Sequence, residues 1–274
     1  MSPGPGPRTG GRPGGGGRRL GRFAGLAGLV RSRLMRIAVL SDVHANLRAL
    51  EAVLAALGPV DAIWHLGDVV GYGPRPDEVV DRLRQLGAVG VRGNHDAAAL
   101  DLELAEWFNP DARRASEWTA GQITPATRDW LARLPERLEI EGITLVHGSP
   151  RDPTWEYITT PSGARANLGA FATAHLLFGH THFGGAFRDN DGRMEAIEPS
   201  DGSTFVLDAR RVLANPGSVG QPRDGDSRAS AAILDTSSST LTWHRVAYEI
   251  AATQADIRAR GLPGWLADRL AGGR

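Results

Sequence analysis

Seven residues of metal-ligating type recur along the chain in short motifs. Asp42 and His44 lie in Ser41-Asp42-Val43-His44, Asp68 in Gly67-Asp68, Asn94 in Gly93-Asn94-His95-Asp96, His147 in Val146-His147-Gly148, and His180 and His182 in Gly179-His180-Thr181-His182. Most follow a short apolar run. The chain has no cysteine, so disulfides and thiolate sites are excluded and any metal must be held by oxygen and nitrogen. Aspartate, histidine and asparagine suit divalent manganese, iron or zinc, and one carboxylate between two ions can bridge them; Asp68 is the candidate bridge. A lone histidine at a strand end is more often a packed bystander than a ligand, and His65, His175 and His244 are read that way.

These motifs need elements that deliver them to one place. Arg36 to Leu40 reads as a buried strand, followed by a helix that Asn46 caps, with Leu47, Leu50, Leu54 and Leu57 on one face and Gly58-Pro59 as its stop. Ala62 to Leu66 is a second strand, Pro76 to Leu86 a helix with proline in its first turn, and Ala88 to Val91 a third strand. Strand, helix, strand, helix, strand implies parallel pairing. Loops beyond the carboxyl ends of such strands converge on one crevice, so ligands far apart in sequence become neighbours.

Residues 97 to 135 carry no strand pattern and read as a helical insertion containing Trp107, Trp118 and Trp130, with Thr124-Pro125 as a helix start. This region is expected to serve as a substrate lid or as a face of a homo-oligomer. Strands resume at Arg137 to Ile140 and Ile143 to Val146 around a Glu141-Gly142 turn, Thr160-Pro161 opens a helix, and His175 to Phe178 is a strand. Short turn-separated strands follow at 185–188, 193–197, 204–207, 212–213, 229–234 and 240–245, which suggests an antiparallel meander and hence a second sheet.

Of 274 residues 41% are apolar, enough for a full core and compatible with one α/β domain over 35–274. No apolar stretch approaches the ~18 residues that span a bilayer, so no membrane partner is expected. Every basic side chain is arginine. Seven of the 31 fall within residues 1–34, a Gly/Pro/Arg-rich extension with no acid, read as disordered. The remaining residues hold 24 basic groups against 31 acidic ones. That sign disfavours binding to nucleic acid, and no sequence-specific nucleic-acid partner is expected.

The ordered set D-x-H, GD, GNHD, H and GHxH resembles the calcineurin-like metallophosphoesterase superfamily, over Met35 to about Tyr248. The resemblance implies an α/β fold, a four-layer α/β/β/α sandwich of two mixed sheets with flanking helices. It implies one metal held by Asp42, His44, Asp68 and His182 and a second held by Asp68, Asn94, His147 and His180. Two such ions clamp phosphoryl oxygens and lower the pKa of a water bridging them. His95, outside the ligand set, takes the place of the family's general acid, and Asp96 beside it is expected to orient its ring. The cofactor expected is two divalent ions, manganese first, with iron, zinc, nickel or cobalt as alternatives.

Ser41-Asp42-Val43-His44-Ala45-Asn46 and Gly67-Asp68-Val69-Val70-Gly71-Tyr72-Gly73 look most like the small bacterial phosphodiesterase branch, which implies a cytoplasmic enzyme acting on small nucleotides or cyclic nucleotides. Protein serine/threonine phosphatases carry an Asp-Arg pair after GD, where this chain has Gly71-Tyr72. A phosphomonoesterase, of the protein phosphatase or dinucleoside polyphosphate hydrolase type, is the alternative, and a non-catalytic scaffold ranks below it because no motif residue is missing. Asn215 to Arg223 resembles a late loop of the same branch near the cleft. Backbone N–H groups around Gly217 and Ser218 could form an anion nest there, Arg223 could pair a second phosphate, and Tyr72 could line the cleft.

Overall fold

Two six-stranded sheets carry the molecule, described here from a computed structural model over residues 35–274. The extension 1–34 expected to be disordered lies outside the described residues. The N-terminal half begins β1 (Arg36–Leu40), α1 (Leu47–Leu57), β2 (Ala62–His65), α2 (Pro76–Gln85) and β3 (Val89–Gly90). Helices α3 (Asn94–Leu100), α4 (Pro110–Gln122) and α5 (Pro125–Arg133) follow, then β4 (Arg137–Ile140), β5 (Ile143–Val146), α6 (Pro161–Asn167) and β6 (His175–Leu177). The chain ends through β7 (Gly184–Asn190), β8 (Arg193–Ile197), β9 (Thr204–Val206), β10 (Val212–Pro216), β11 (Ala229–Asp235), β12 (Thr240–Val246), α7 (Ile250–Ala259) and α8 (Gly264–Asp268).

Local chemistry sets several of these boundaries. The Asn46 side chain accepts from Ala49 N (3.2 Å) and starts α1. Thr124 and Thr160 cap α5 and α6 in the same way, each followed by proline in the first turn. Glu141 (φ 49°) and Gly142 (φ 74°) form the two-residue link of the β4–β5 hairpin, the left-handed pair that a tight hairpin requires. The buried stripe of α1 is Ala49, Leu50, Val53 and Leu57; Leu47 and Leu54 are only partly buried, so the helix is turned slightly from the all-leucine face.

The first sheet runs β3-β2-β1-β11-β12-β9 and the second β4-β5-β6-β10-β7-β8. The β1–β2 and β2–β3 pairs are parallel, as the alternation of strand and helix implies. The late strands, however, do not make a sheet of their own: β11 pairs antiparallel with β1, while β10 pairs parallel with β6. Turn spacing reveals antiparallel neighbours, but a strand's choice of sheet is a long-range contact that no local pattern encodes.

Alternation along β1 feeds two cores. Ala38 and Leu40 face α1 and α2, with Leu50, Val53, Val79 and Leu83. Ile37 and Val39 face the second sheet, meeting Leu145, Leu177 and Ala214. Beyond the second sheet, Leu176, Phe178 and Leu213 pack with Ala164 of α6. The result is the four-layer α/β/β/α sandwich that the motifs implied. Burying a side chain such as Leu50, fully enclosed here, is worth about 1.5–3 kcal/mol. No helix among the described residues is long and apolar enough to cross a membrane.

Candidate metal centre

Backbone bonds continue past the strand ends and fix the motif loops against each other. Asp42 N donates to Gly67 O (3.1 Å) and His44 N to Asp68 O (2.9 Å), joining the loops after β1 and β2. Gly179 N donates to His147 O (2.8 Å), joining the loops after β5 and β6. The two sheets meet where a Cβ on Gly179 would stand 2.0 Å from Ser41 Oγ, and within the first sheet one on Gly93 would stand 2.1 Å from Asp68 Oδ1. Only glycine fits either place. Among ten described non-glycine residues with positive φ, seven are Asp42, His44, Ala45, Asp68, Tyr72, His180 and His182. Left-handed backbone costs about 1–2 kcal/mol per residue, so the fold stores strain where the motifs converge.

Two clusters of donor atoms result, Asp42, His44, Asp68 and His182 in one and Asp68, His147 and His180 in the other, with the atoms of each within 4.8 Å of one another. All are buried. Asp68 belongs to both, and Asn94 joins the second with Oδ1 2.9 Å from His147 Nε2. The outward ring nitrogens are all held by main-chain carbonyls: His44 Nδ1 by Val70 O (3.1 Å), His147 Nδ1 by Leu66 O (2.8 Å), His182 Nδ1 by Gln221 O (2.6 Å) and His180 Nε2 by Trp155 O (3.2 Å).

A carbonyl accepts only, so each of those nitrogens carries the hydrogen, and a neutral ring then points a lone pair inward. His44 Nε2 and His182 Nε2 thus face each other at 3.1 Å, and His147 Nε2 and His180 Nδ1 at 3.0 Å. Between His44 and His182, both neutral, the facing lone pairs repel unless a cation lies between them. Asp42 Oδ1, buried and without a hydrogen bond, lies 3.2 Å from His182 Nε2, while its Oδ2 accepts from Ser41 Oγ (2.6 Å) and His180 N (3.2 Å). Donors about 2.1 Å from a common ion stand roughly 3.0–3.4 Å apart, so the residues present fit two metal ions.

Electrostatics follow from burial and from these neighbours. Burial holds His44 and His182 well below the usual imidazole range and His180 at about 3, which keeps their lone pairs available. Burial pulls His147 down too, but the charge of Asp68 and the hydrogen bond to it win, raising it to about 9, so without metal its Nε2 carries a proton toward Asp68 that a bound ion would displace. For Asp68, burial pulls upward and the charge of His147, with its hydrogen bond, outweighs it, leaving an ionised carboxylate.

The remaining expected residues divide. His95 is buried beside the centre, its ring 5.1 Å from that of His44, with Nδ1 unpartnered. Burial lowers it to about 4. Tyr72 lines the same wall, 4.8 Å from His44 and 4.3 Å from His95, with the Arg223 guanidinium 5.7 Å above its ring. Asp96 does not orient His95: its two oxygens accept from Val70 N and Gly93 N, both at 3.0 Å, so it pins the loops instead. At the expected anion nest, Gly217 N donates to Asn215 Oδ1 (2.8 Å), and the Ser218 hydroxyl donates to Asp42 O (2.9 Å) and so helps hold the Asp42 loop.

Three aromatic residues at the mouth carry no motif and were not foreseen. Phe108 lies 4.5 Å from the His95 ring and 5.7 Å from Trp155, and Tyr157, 54% exposed, stacks on His180 at 3.8 Å. A groove of about 700 Å³ is lined by Thr181, Phe183, Ile158, Ile197 and the Asp224–Arg245 ion pair.

Paired sheets with ionic donors gathered at the strand ends define a metal-dependent phosphoester hydrolase. The calcineurin-like phosphoesterase superfamily domain matches residues 35–239, and the chain belongs to that family. It is similar to a metallophosphoesterase from Sphaerobacter thermophilus, with 46% identity, a TM-score of 0.81, and coverage of 88% of this chain and 100% of that one. The uncharacterised protein MJ0912 of Methanocaldococcus jannaschii is 36% identical over 87% of this chain and 98% of its own length. Phosphodiesterase YfcE of Escherichia coli strain K12 is 28% identical over 74% of this chain and 88% of its own.

Proposed function

We propose that the chain hydrolyses small phosphodiesters, nucleotides among them, at a dinuclear centre. One ion is held by Asp42, His44, Asp68 and His182 and the other by Asp68, Asn94, His147 and His180, with manganese the first choice of metal. The observation that carries this is the close approach of paired ring nitrogens, His44 with His182 and His147 with His180, on either side of the shared Asp68. When bound, the ions supply Lewis-acid charge to the phosphoryl oxygens and activate water for attack.

The protein's own groups do the rest. Carbonyl oxygens of Val70, Leu66, Gln221 and Trp155 fix each imidazole tautomer, so the centre is preorganised before substrate arrives. His95 faces the same space and serves the leaving group. Its ring is neutral at pH 7, and the negative charge of a bound phosphoryl group raises its pKa toward the range where it donates a proton. The groove beside Thr181 and Phe183 gives room to the organic part of a diester. All motif residues stand in place, which disfavours the non-catalytic scaffold.

The test is a comparison of bis(p-nitrophenyl) phosphate with p-nitrophenyl phosphate after chelation and reloading with Mn²⁺, Fe²⁺, Zn²⁺, Ni²⁺ or Co²⁺. The diester is expected to be cleaved faster with at least one metal. Faster cleavage of the monoester with every metal would replace this reading with the phosphomonoesterase alternative.

A further inference from the structure

Phe108, Trp155 and Tyr157 make one aromatic wall out of two distant segments. Phe108 closes the short helical turn Leu102–Trp107 within the helical insertion, while Trp155 and Tyr157 belong to the loop between β5 and α6. The wall is continuous with the reacting centre. Phe108 stands 4.5 Å from the His95 ring and 5.7 Å from Trp155, and Tyr157 stacks on His180 at 3.8 Å with 22° between the planes. Rings that only filled a core would be enclosed. Phe108 and Trp155 are half-buried and Tyr157 is exposed, so apolar ring surface meets solvent beside the groups that face substrate.

Both segments are held in place by their own contacts. Phe108 packs against the cluster of Tyr72, Ala112 and Ala115. Trp155 N donates to Asp152 Oδ1 (3.1 Å), and Trp155 O accepts from the His180 ring (3.2 Å). Arg151, the one arginine between His147 and Pro161, is closed on Glu156, whose carboxylate also accepts from Ser149 Oγ and Asn167 Nδ2 (3.4 Å). This loop therefore offers rings rather than a free cation. A preorganised wall of rings suits a flat, uncharged group, and stacking on aromatic side chains accepts any base.

His95 sets which side of the substrate the wall serves. A proton donor assists the departure of a sugar alkoxide, whereas a p-nitrophenolate leaves without one. A leaving group that needs His95 and also lays a flat ring against Phe108 and Trp155 has the chemistry of a nucleoside. We propose that Phe108, Trp155 and Tyr157 form a stacking site for a nucleobase on the leaving-group side of the centre. The substrate class is then a phosphodiester that releases a nucleoside hydroxyl, with the groove beside Thr181 and Phe183 taking the other ester group. This deepens the reading of the centre as a phosphodiesterase and rests on it.

The site is tested by calorimetry on full-length protein loaded with Mn²⁺ and freed of excess metal, with adenosine monophosphate and ribose phosphate as probes. The two share sugar and phosphate and differ in the base. Adenosine monophosphate is expected to bind more tightly, and Trp155→Ala to shrink its advantage by roughly 10-fold, within the range that base stacking supplies, while ribose phosphate binds as it does to the wild type. Trp155→Phe keeps a ring and should retain most of the advantage. Phe108→Leu, which keeps bulk without the ring, decides the matter if Trp155→Ala does not fold or loses metal. Trp107→Ala, at a position 85% exposed beside Phe108, is the control and should change nothing. Equal binding of the two probes, an unchanged advantage in the deciding variant, or an equal loss in Trp107→Ala overturns the site. Failure of the parent reading looks different: the loaded protein would leave bis(p-nitrophenyl) phosphate intact or cleave the monoester faster, whatever the binding of the two probes.

Discussion

His95 is enclosed by Tyr72, His44 and Phe108, and its low pKa comes from that enclosure. If it protonates a leaving group, His95→Gln should lower kcat by roughly 10²–10⁴-fold for alkyl esters and far less for p-nitrophenyl esters, whose leaving group needs no proton. Metal content should stay at the wild-type level. Equal losses on both ester types would rule out the proton-donor role. His65 is a different case, a bystander as the sequence suggested, yet buried against Trp130 with both ring nitrogens unpartnered. Burial lowers it from 6.5 to about 4. The unfolded chain therefore takes up a proton first as the medium acidifies. The stabilisation is intact above about pH 6.5 and is lost as pH falls toward 4, by about 3 kcal/mol in all. His65→Phe should flatten that part of the stability curve, as urea midpoints at pH 7 and pH 5 would reveal; an undiminished slope counts against the assignment.

At the scale of elements, the most consequential unforeseen feature is the α7–α8 segment. Its residues alternate apolar and polar without a clear stripe, and its value lies in what it covers: Leu266, 1% exposed, packs with Tyr72. Arg75 reaches Asp256 on α7 (2.8 Å), but an ion pair this exposed adds at most about 1 kcal/mol, so apolar contacts hold the segment. Leu266→Ala should cost about 2–5 kcal/mol and raise KM by loosening the Tyr72 wall. Thermal denaturation and steady-state kinetics check the two effects, and a destabilised variant with wild-type KM would separate the segment from the site. Strands and caps were legible in sequence because alternation, Asn46, Thr124 and Thr160 act locally. The partners of β10 and β11 were not, since pairing depends on which distant edge is free.

The whole molecule buries two aspartates among four histidines at the junction of its sheets, an arrangement that metal ions complete. Ion binding to the folded state alone stabilises it, by about 2.7 kcal/mol at a concentration 100 times Kd. For a chain of this size that corresponds to a rise in Tm of roughly 5–10 °C. Scanning calorimetry with and without chelator measures it, and an unchanged Tm would argue against occupancy of the two clusters. By itself, the sequence determined the candidate donor residues, their order, and the strand ends that carry them, because donor type and motif spacing are local and glycines such as Gly93 and Gly179 mark close backbone approach. Tertiary structure alone decided what the neighbours do. Asp96 bonds to the backbone of Val70 and Gly93 rather than to the His95 ring, because the loops it meets are fixed only when the fold assembles. Phe108 and Tyr157 reach the centre from segments with no motif, since a side chain's place at a cleft is set by packing at a distance and not by its neighbours in the chain.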